Sequence, residues 1–324
     1  MSVPGFDPRW TDFPDYIIGI TRQIWEERNI STLHQYYSED IIVRTPGVVS
    51  VGNTAVIGAT MATLAEFPDR VLLGEDVIWS GNENTGFLSS HRILSTATHA
   101  HDGVYGKATG KKLTYRIIAD CAARENTIYD EWLIRDQSAI VRQMGWQPDS
   151  YARDLIKREG GPENCVKPLT PANDIEGAYT SSGNDHPLGQ RYADILHRIM
   201  NAQMSAISVE YDRACALEYP GGISAHGHGD ADQFWMGLRA ALPNAVFTIH
   251  HAIGREDPMM APRAAVRWSL HGKHEGWGMF GTPTHAEIYV LGISHAEFGP
   301  WGLRREYTLF DETAVWKQIA LKTG

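Results

Sequence analysis

Cysteine is scarce: the 324-residue chain has three, Cys121, Cys165 and Cys215. They are too few and too scattered for a disulfide framework or a zinc knuckle. Long apolar runs are missing as well. None approaches the ~20 residues that a membrane helix needs, which excludes a helical membrane protein. Basic clusters are also absent, and the formal net charge is −10. With nothing ready to neutralise phosphates, nucleic acid is not an expected partner. The opening stretch, Met1 to Trp10, has no basic region followed by an apolar core, so no secretory signal is expected and a reducing cytoplasm is the expected location. No phosphate-binding glycine loop, nucleophile elbow or paired-cysteine site is present, and no cofactor is expected.

What the chain does have is a phrase used twice. Glu131, Trp132, Asp136, Ala139 and Gln143 recur 175 residues later as Glu306, Tyr307, Asp311, Ala314 and Gln318. The same offset relates Ile20 to Ile195, Gly47 to Gly222, Gly52 to Gly227, Arg92 to Arg267 and Ile118 to Ile293. Clustering of these identities at turn residues and in the closing phrase indicates a duplicated module. Modules at 1–148 and 189–324 are expected, joined by a linker at 149–188 rich in Pro, Gly, Asn and Ser. Between about 93 and 109 the register is read as broken, with His101-Asp102-Gly103 set against His274-Glu275-Gly276 at an offset of 173.

Within the first module, helical spacing runs from Asp15 to about Arg28, and a short helix holds Leu33 and Tyr36. A strand at 41–44 and a helix from Asn53 or Thr54 to Glu66 follow. Strands are then expected at about 71–79, 87–97, 112–121 and 127–135. Helices followed by a run of antiparallel strands give an α+β class, with helices packed on one face of a curved sheet.

On this order sit Tyr36 to Val43, Asp102 to Leu113 and Glu131 to Gln143, and in the second module Phe234 to Pro243, Ala265 to Gly276 and Glu306 to Gln318. With these stretches the chain resembles the SnoaL-like polyketide cyclases of the nuclear transport factor 2-like superfamily, over both modules. The resemblance implies two cone-shaped α+β barrels in tandem, each enclosing an apolar pocket for a hydrophobic small molecule. It implies a homodimer or an intramolecular pseudo-dimer. It also implies cofactor-free chemistry of the cyclase, isomerase, dehydratase or hydrolase kind, although binding domains without activity share the cone.

Strand alternation places Ile128, Asp130, Trp132, Ile134 and Asp136 on one face of the last strand, with Leu303, Arg305, Tyr307, Leu309 and Asp311 as counterparts. This is the more apolar face and is expected to line the pocket. Asp136 and Asp311 would there lose hydration and become bases of raised pKa, the role that the resemblance gives an aspartate at this position. Each also precedes a short helix, where Asp is a favoured N-cap.

His101 and His274 are candidate proton partners. Trp132, Tyr307, Arg92, Arg267, Asp120, His295, Asp130 and Arg305 are candidate substrate-binding residues. Asp130 and Arg305 reverse charge at one position, so the two pockets are expected to differ. For Arg92 and Arg267, ion pairs with Glu131 or Glu306 are an equal expectation. His226 and His228 flank a turn glycine without a third ligand, and no metal is expected.

Overall fold

The computed structural model describes residues 3–324; Met1 and Ser2, part of the opening stretch read above, lie outside it. In the first half, α1 (Phe13–Trp25) starts on the Asp12 cap and buries Phe13, Tyr16, Ile17, Ile20 and Ile24. A 3-10 turn at Ile30–Thr32 and α2 (Leu33–Tyr36) lead into β1 (Tyr37–Thr45), β2 (Val48–Val51) and α3 (Asn53–Glu66). Four long strands follow, β3 (Val71–Asn82), β4 (Gly86–Thr98), β5 (Lys112–Arg124) and β6 (Thr127–Arg135), and then α4 (Gln137–Met144).

The six strands form one sheet in the order β2-β1-β6-β5-β4-β3. Within it β1 runs parallel to β6 and the other neighbours are antiparallel. The second half repeats this plan: α6 (Pro187–Met200), α7 (Ser205–Glu210), β7 (Tyr211–Tyr219), β8 (Ile223–His226), α8 (Gly227–Ala241), β9 (Val246–Arg255), β10 (Arg263–Lys273), β11 (Glu287–Gly299), β12 (Gly302–Phe310) and α9 (Glu312–Thr323). Its sheet order, β8-β7-β12-β11-β10-β9, is that of the first.

Two α+β domains result, each a curved sheet with helices on its concave face. Among the described residues no helix is long and apolar enough to cross a membrane.

The remaining face of each sheet is covered by the other domain. Arg267 of β10 pairs with Asp120 of β5 at 2.7 Å, and its guanidinium lies 3.6 Å from the Trp132 ring. At the offset-related positions, Arg92 of β4 approaches His295 of β11 at 3.2 Å and lies 3.5 Å from the Tyr307 ring. Such exchanged contacts are the signature of a two-fold relation, here between halves of one chain.

Because the Arg92 N–H must donate to His295 Nδ1, the ring proton sits on Nε2, which donates to Ser90 Oγ at 2.8 Å. Burial and the Arg92 charge hold this histidine well below its ordinary pKa, so it is neutral. Ile118, Ile134, Leu291, Ile293 and Leu309 form the apolar centre of the seam.

The linker expected at 149–188 opens with a full helix, α5 (Pro148–Arg158), which starts on the last residue assigned to the first module. Residues 159–186 then run as a strap along the seam. Asp174 Oδ1 accepts from Arg44 Nε at 2.8 Å, the Tyr179 N–H donates to Asp130 Oδ2, and the Tyr179 hydroxyl meets His251 Nε2 at 2.8 Å. Gly177 is required here, since a Cβ would come within 1.8 Å of Asp130 Oδ2.

Candidate active site

The seam corrects the expected facing of the last strands. Asp130, Trp132 and Ile134 point into the domain interface, as do Tyr307 and Leu309, while Glu131, Leu133 and Arg135 line the cone. A bulge in β6, where Ile128 and Asp130 oppose the consecutive residues Ala123 and Ala122 of β5, puts Ile128 on the cone side with Glu131 instead of with Asp130. Apolar character could not tell the two faces apart, because a sheet sandwiched between helices and a second sheet is buried on both.

The other sequence candidates lie outside the cones too. Asp136 caps α4: its Oδ1 accepts from Ala139 N and Ser138 Oγ, both at 2.9 Å. It also accepts across the seam from Gly221 N and Gly222 N in the β7–β8 turn. Asp311 caps α9 through Thr313 and Ala314, and burial pushes its carboxyl up to about 6. Neither carboxylate lines the first cone.

Arg92 pairs with Glu75, and Arg267 with Asp120, in place of Glu131 or Glu306. Asp120 meets Arg267 and His295 meets Arg92, each across the seam. Asp130 is fully buried against Arg44, whereas Arg305 stands exposed 3.8 Å from Glu297.

His101 is on an exposed loop, and its pairing with His274 is corrected. The offset of 175 is unbroken, so His99 is the counterpart of His274. Each sets Nδ1 3.1 Å from the hydroxyl of a threonine ten residues on, Thr109 or Thr284. His99 Nε2 reaches Glu66, but at the matching position the second domain has Ala241, and His274 Nε2 is left without a partner. His228 Nε2 is taken by the Tyr211 carbonyl. Among the described residues no three His, Cys, Asp or Glu side chains converge on a metal-sized space.

Glu131, read as one half of a repeat and as a possible ion-pair partner of the strand arginines, is the buried carboxylate of the first cone. A cavity of about 200 Å³ there is walled by Ile17, Ile20 and Ile24 of α1, by small residues of α3 and by the concave strands. Its polar lining includes Tyr37, Arg70, His91, Cys121, Glu131 and Arg135. Burial raises Glu131 to about 7, opposed in part by hydrogen bonding with Tyr37 and Cys121. Burial lowers His91 to about 4, so the imidazole is neutral at pH 7; its Nδ1 lies 3.2 Å from Ser89 Oγ. Because the Tyr37 hydroxyl stabilises the ionised carboxylate, Tyr37→Phe should raise the Glu131 pKa further; carboxyl chemical shifts followed through a pH titration measure it.

The counterpart cone is filled around its carboxylate, and its remaining space, about 510 Å³, lies at the mouth against Tyr219 and Phe234. Glu306 accepts from the hydroxyls of Tyr192, Tyr211 and Tyr219, each at 2.8 Å, and from Trp235 Nε1 at 3.3 Å. At offset 175, Trp235 stands where the first cone has Thr60, Trp268 where it has Ile93, and Phe310 where it has Arg135. Gly292, in place of Ile117, makes room for the Trp268 indole, which lies 2.2 Å from where a Cβ would be. The second carboxylate is therefore structural, held by four donors inside an aromatic core.

A larger cavity of about 370 Å³ opens at the seam, walled by Trp132, Arg44, Arg267, Tyr179, His250 and Tyr289. Its arginines are already matched: Arg44 with Asp130 and Asp174, Arg267 with Asp120. It offers shape and aromatic surface, while the smaller cone offers a carboxyl group poised to gain or lose a proton near neutrality.

Comparison with protein families matches residues 16–144 to the SnoaL-like polyketide cyclases. The match covers almost all of the first domain, which is similar to that family. Solved structures similar to the chain include wild-type IdmH from Streptomyces antibioticus, 20% identical, covering 41% of this chain and 98% of its own, with a TM-score of 0.36. TsrD from Streptomyces laurentii is 14% identical and covers 43% and 97%, with a TM-score of 0.36. A SnoaL-like polyketide cyclase from Agrobacterium tumefaciens is 16% identical and covers 41% and 98%, with a TM-score of 0.32. Comparison with curated proteins returns no match. The matched segment holds the whole lining of the open cone, from Ile17 to Arg135.

Proposed function

We propose that the SnoaL-like domain is a cofactor-independent acid–base site for a hydrophobic small molecule with an enolisable carbonyl, and that Glu131 is its proton carrier. Proton removal next to a carbonyl, followed by return at another atom or by ring closure, gives isomerase or cyclase chemistry. The carrying observation is the contrast between two carboxylates at one position. Glu131 is buried on the wall of an open cavity and titrates near 7, where a base is both available and strong. Glu306 is enclosed by three tyrosines and a tryptophan. His91, neutral beside the same cavity, supplies a hydrogen bond to the carbonyl oxygen as charge builds there. The second domain supports the first by covering its convex face.

The test uses solvent deuterium incorporation at the α-carbons of 2-tetralone, followed by NMR. Wild-type protein should accelerate exchange, Glu306→Gln should leave the acceleration intact if folded, and Thr60→Trp, which copies the filler of the second cone, should abolish it. Exchange that survives Thr60→Trp would place the chemistry outside the first cone.

A further inference from the structure

Charge at the two ends of the first cone is unequal. Glu131, Leu133 and Arg135 alternate on the cavity face of β6, so Glu131 and Arg135 lie about 13 Å apart along the strand at ~3.3 Å per residue. At the Arg135 end Arg70 joins the wall. Arg70 is 2% exposed, its guanidinium lies 4.3 Å from the Trp25 ring centre, Nε donates to Ser95 Oγ at 3.3 Å, and Nη1 has no partner. Arg135 Nε has none either. Among the described residues neither guanidinium makes an ion pair. Burial disfavours the Arg135 charge, while the Tyr105 and Tyr115 hydroxyls and, across the seam, Asp311 favour it; none of them is a carboxylate paired with the guanidinium.

Two neighbouring cations out of water are costly unless an anion joins them. Burial above all, opposed by the Tyr115 hydroxyl and aided by the neighbouring Arg135 charge, draws the Arg70 pKa down to about 10. The rest of the cavity supplies no anion at this end. Elsewhere in the molecule buried arginines are matched: Arg44 with Asp130, Arg263 with Asp76, Arg267 with Asp120.

We infer that Arg70 and Arg135 form a carboxylate subsite, so that the ligand of the first cone is an apolar molecule carrying a carboxylate at one end and its reacting carbon at the Glu131 end. This inference rests on the reading of the cone as the active site. A guanidinium pair recognises the planar carboxylate through parallel N–H donors, and the walls between, Ile93, Ile117 and Leu133, fit an apolar body. The charge asymmetry sets the direction of binding: the carboxylate is drawn to the arginines and repelled by ionised Glu131.

Calorimetric titration of the full chain with 2-naphthoate and with its neutral isostere 2-naphthamide tests the subsite. Wild-type protein should bind the carboxylate at least tenfold more tightly than the amide. Arg70→Met and Arg135→Met together should bring the ratio close to one and leave amide affinity unchanged, whereas Arg70→Lys should retain part of the preference. Removing unpaired buried charge should leave the melting temperature unchanged or raise it, which separates this role from a structural one. Equal affinities in the wild type, a preference that survives the double substitution, or binding of neither compound would overturn the inference. If Glu131→Gln spares deuterium exchange while the carboxylate preference holds, the catalytic reading fails and the subsite stands; the reverse pattern rejects the subsite alone.

Discussion

Glu131→Gln should lower the rate of deuterium exchange by about 10²–10⁴-fold, the usual contribution of a positioned acid–base group. In the wild type the rate should climb with pH and level off above an apparent pKa near 7, the value to which burial raises this carboxyl. The variant should lack that limb. Stability should move in the opposite sense. The native state keeps the Glu131 proton up to about pH 7, while the unfolded chain releases it near 4.5. The folded form therefore holds more protons in that window, and stability falls as pH rises from about 4.5 to 7. Above it, Glu131→Gln should be more stable than wild type by up to ~3 kcal/mol, read from urea midpoints at pH 8. A gain in stability with a loss of rate marks a group kept for function at structural cost.

Asp136→Ala should be among the most destabilising substitutions in the molecule. The carboxylate accepts from Ala139 N, Ser138 Oγ, Gly221 N and Gly222 N, so its removal strips the cap of α4 and the grip on the β7–β8 turn together. The buried Ala139 N–H and the part-buried N–H groups of Gly221 and Gly222 left without a partner should bring the loss to ~3–5 kcal/mol. Asp311→Ala removes only the cap of α9, and should cost ~1–2 kcal/mol. Chemical denaturation of both variants gives the comparison. Equal losses would mean that the contacts from Asp136 across the seam contribute nothing.

The duplication and the element order were legible because they are written in local residues: the phrase at 131 and 306, the positive-φ glycines Gly52 and Gly227 at the helix starts, and strand runs that the structure places within a few positions. The facing of β6 and β12 was not. Trp132 and Tyr307 sit on the apolar side because that side meets the other domain, and one strand carries no mark that distinguishes a cavity from an interface. Arg92 and Arg267 stand at matching positions, as do Asp120 and His295, but the contact that joins them runs between the halves, and only three dimensions reveal it.

One signal was available and unused. At offset 175 the second module places Trp235, Trp268 and Phe310 where the first has Thr60, Ile93 and Arg135, a substitution of bulk for space that marks one filled cone and one open cone. Glu131 was hidden by its own repetition, since Glu306 made it look like a structural constant. The two carboxylates differ only in what surrounds them.

The most direct test of that difference is an infrared titration of the carboxyl groups, with Glu131→Gln and Glu306→Gln used to assign the bands. A protonated band belonging to Glu131 should disappear with a midpoint near pH 7 and should shift when 2-naphthamide fills the cone, while the Glu306 band should not respond to the ligand. A Glu131 midpoint near 4.5, or a band indifferent to the ligand, would mean that the open cone of the first domain is not where the proton moves.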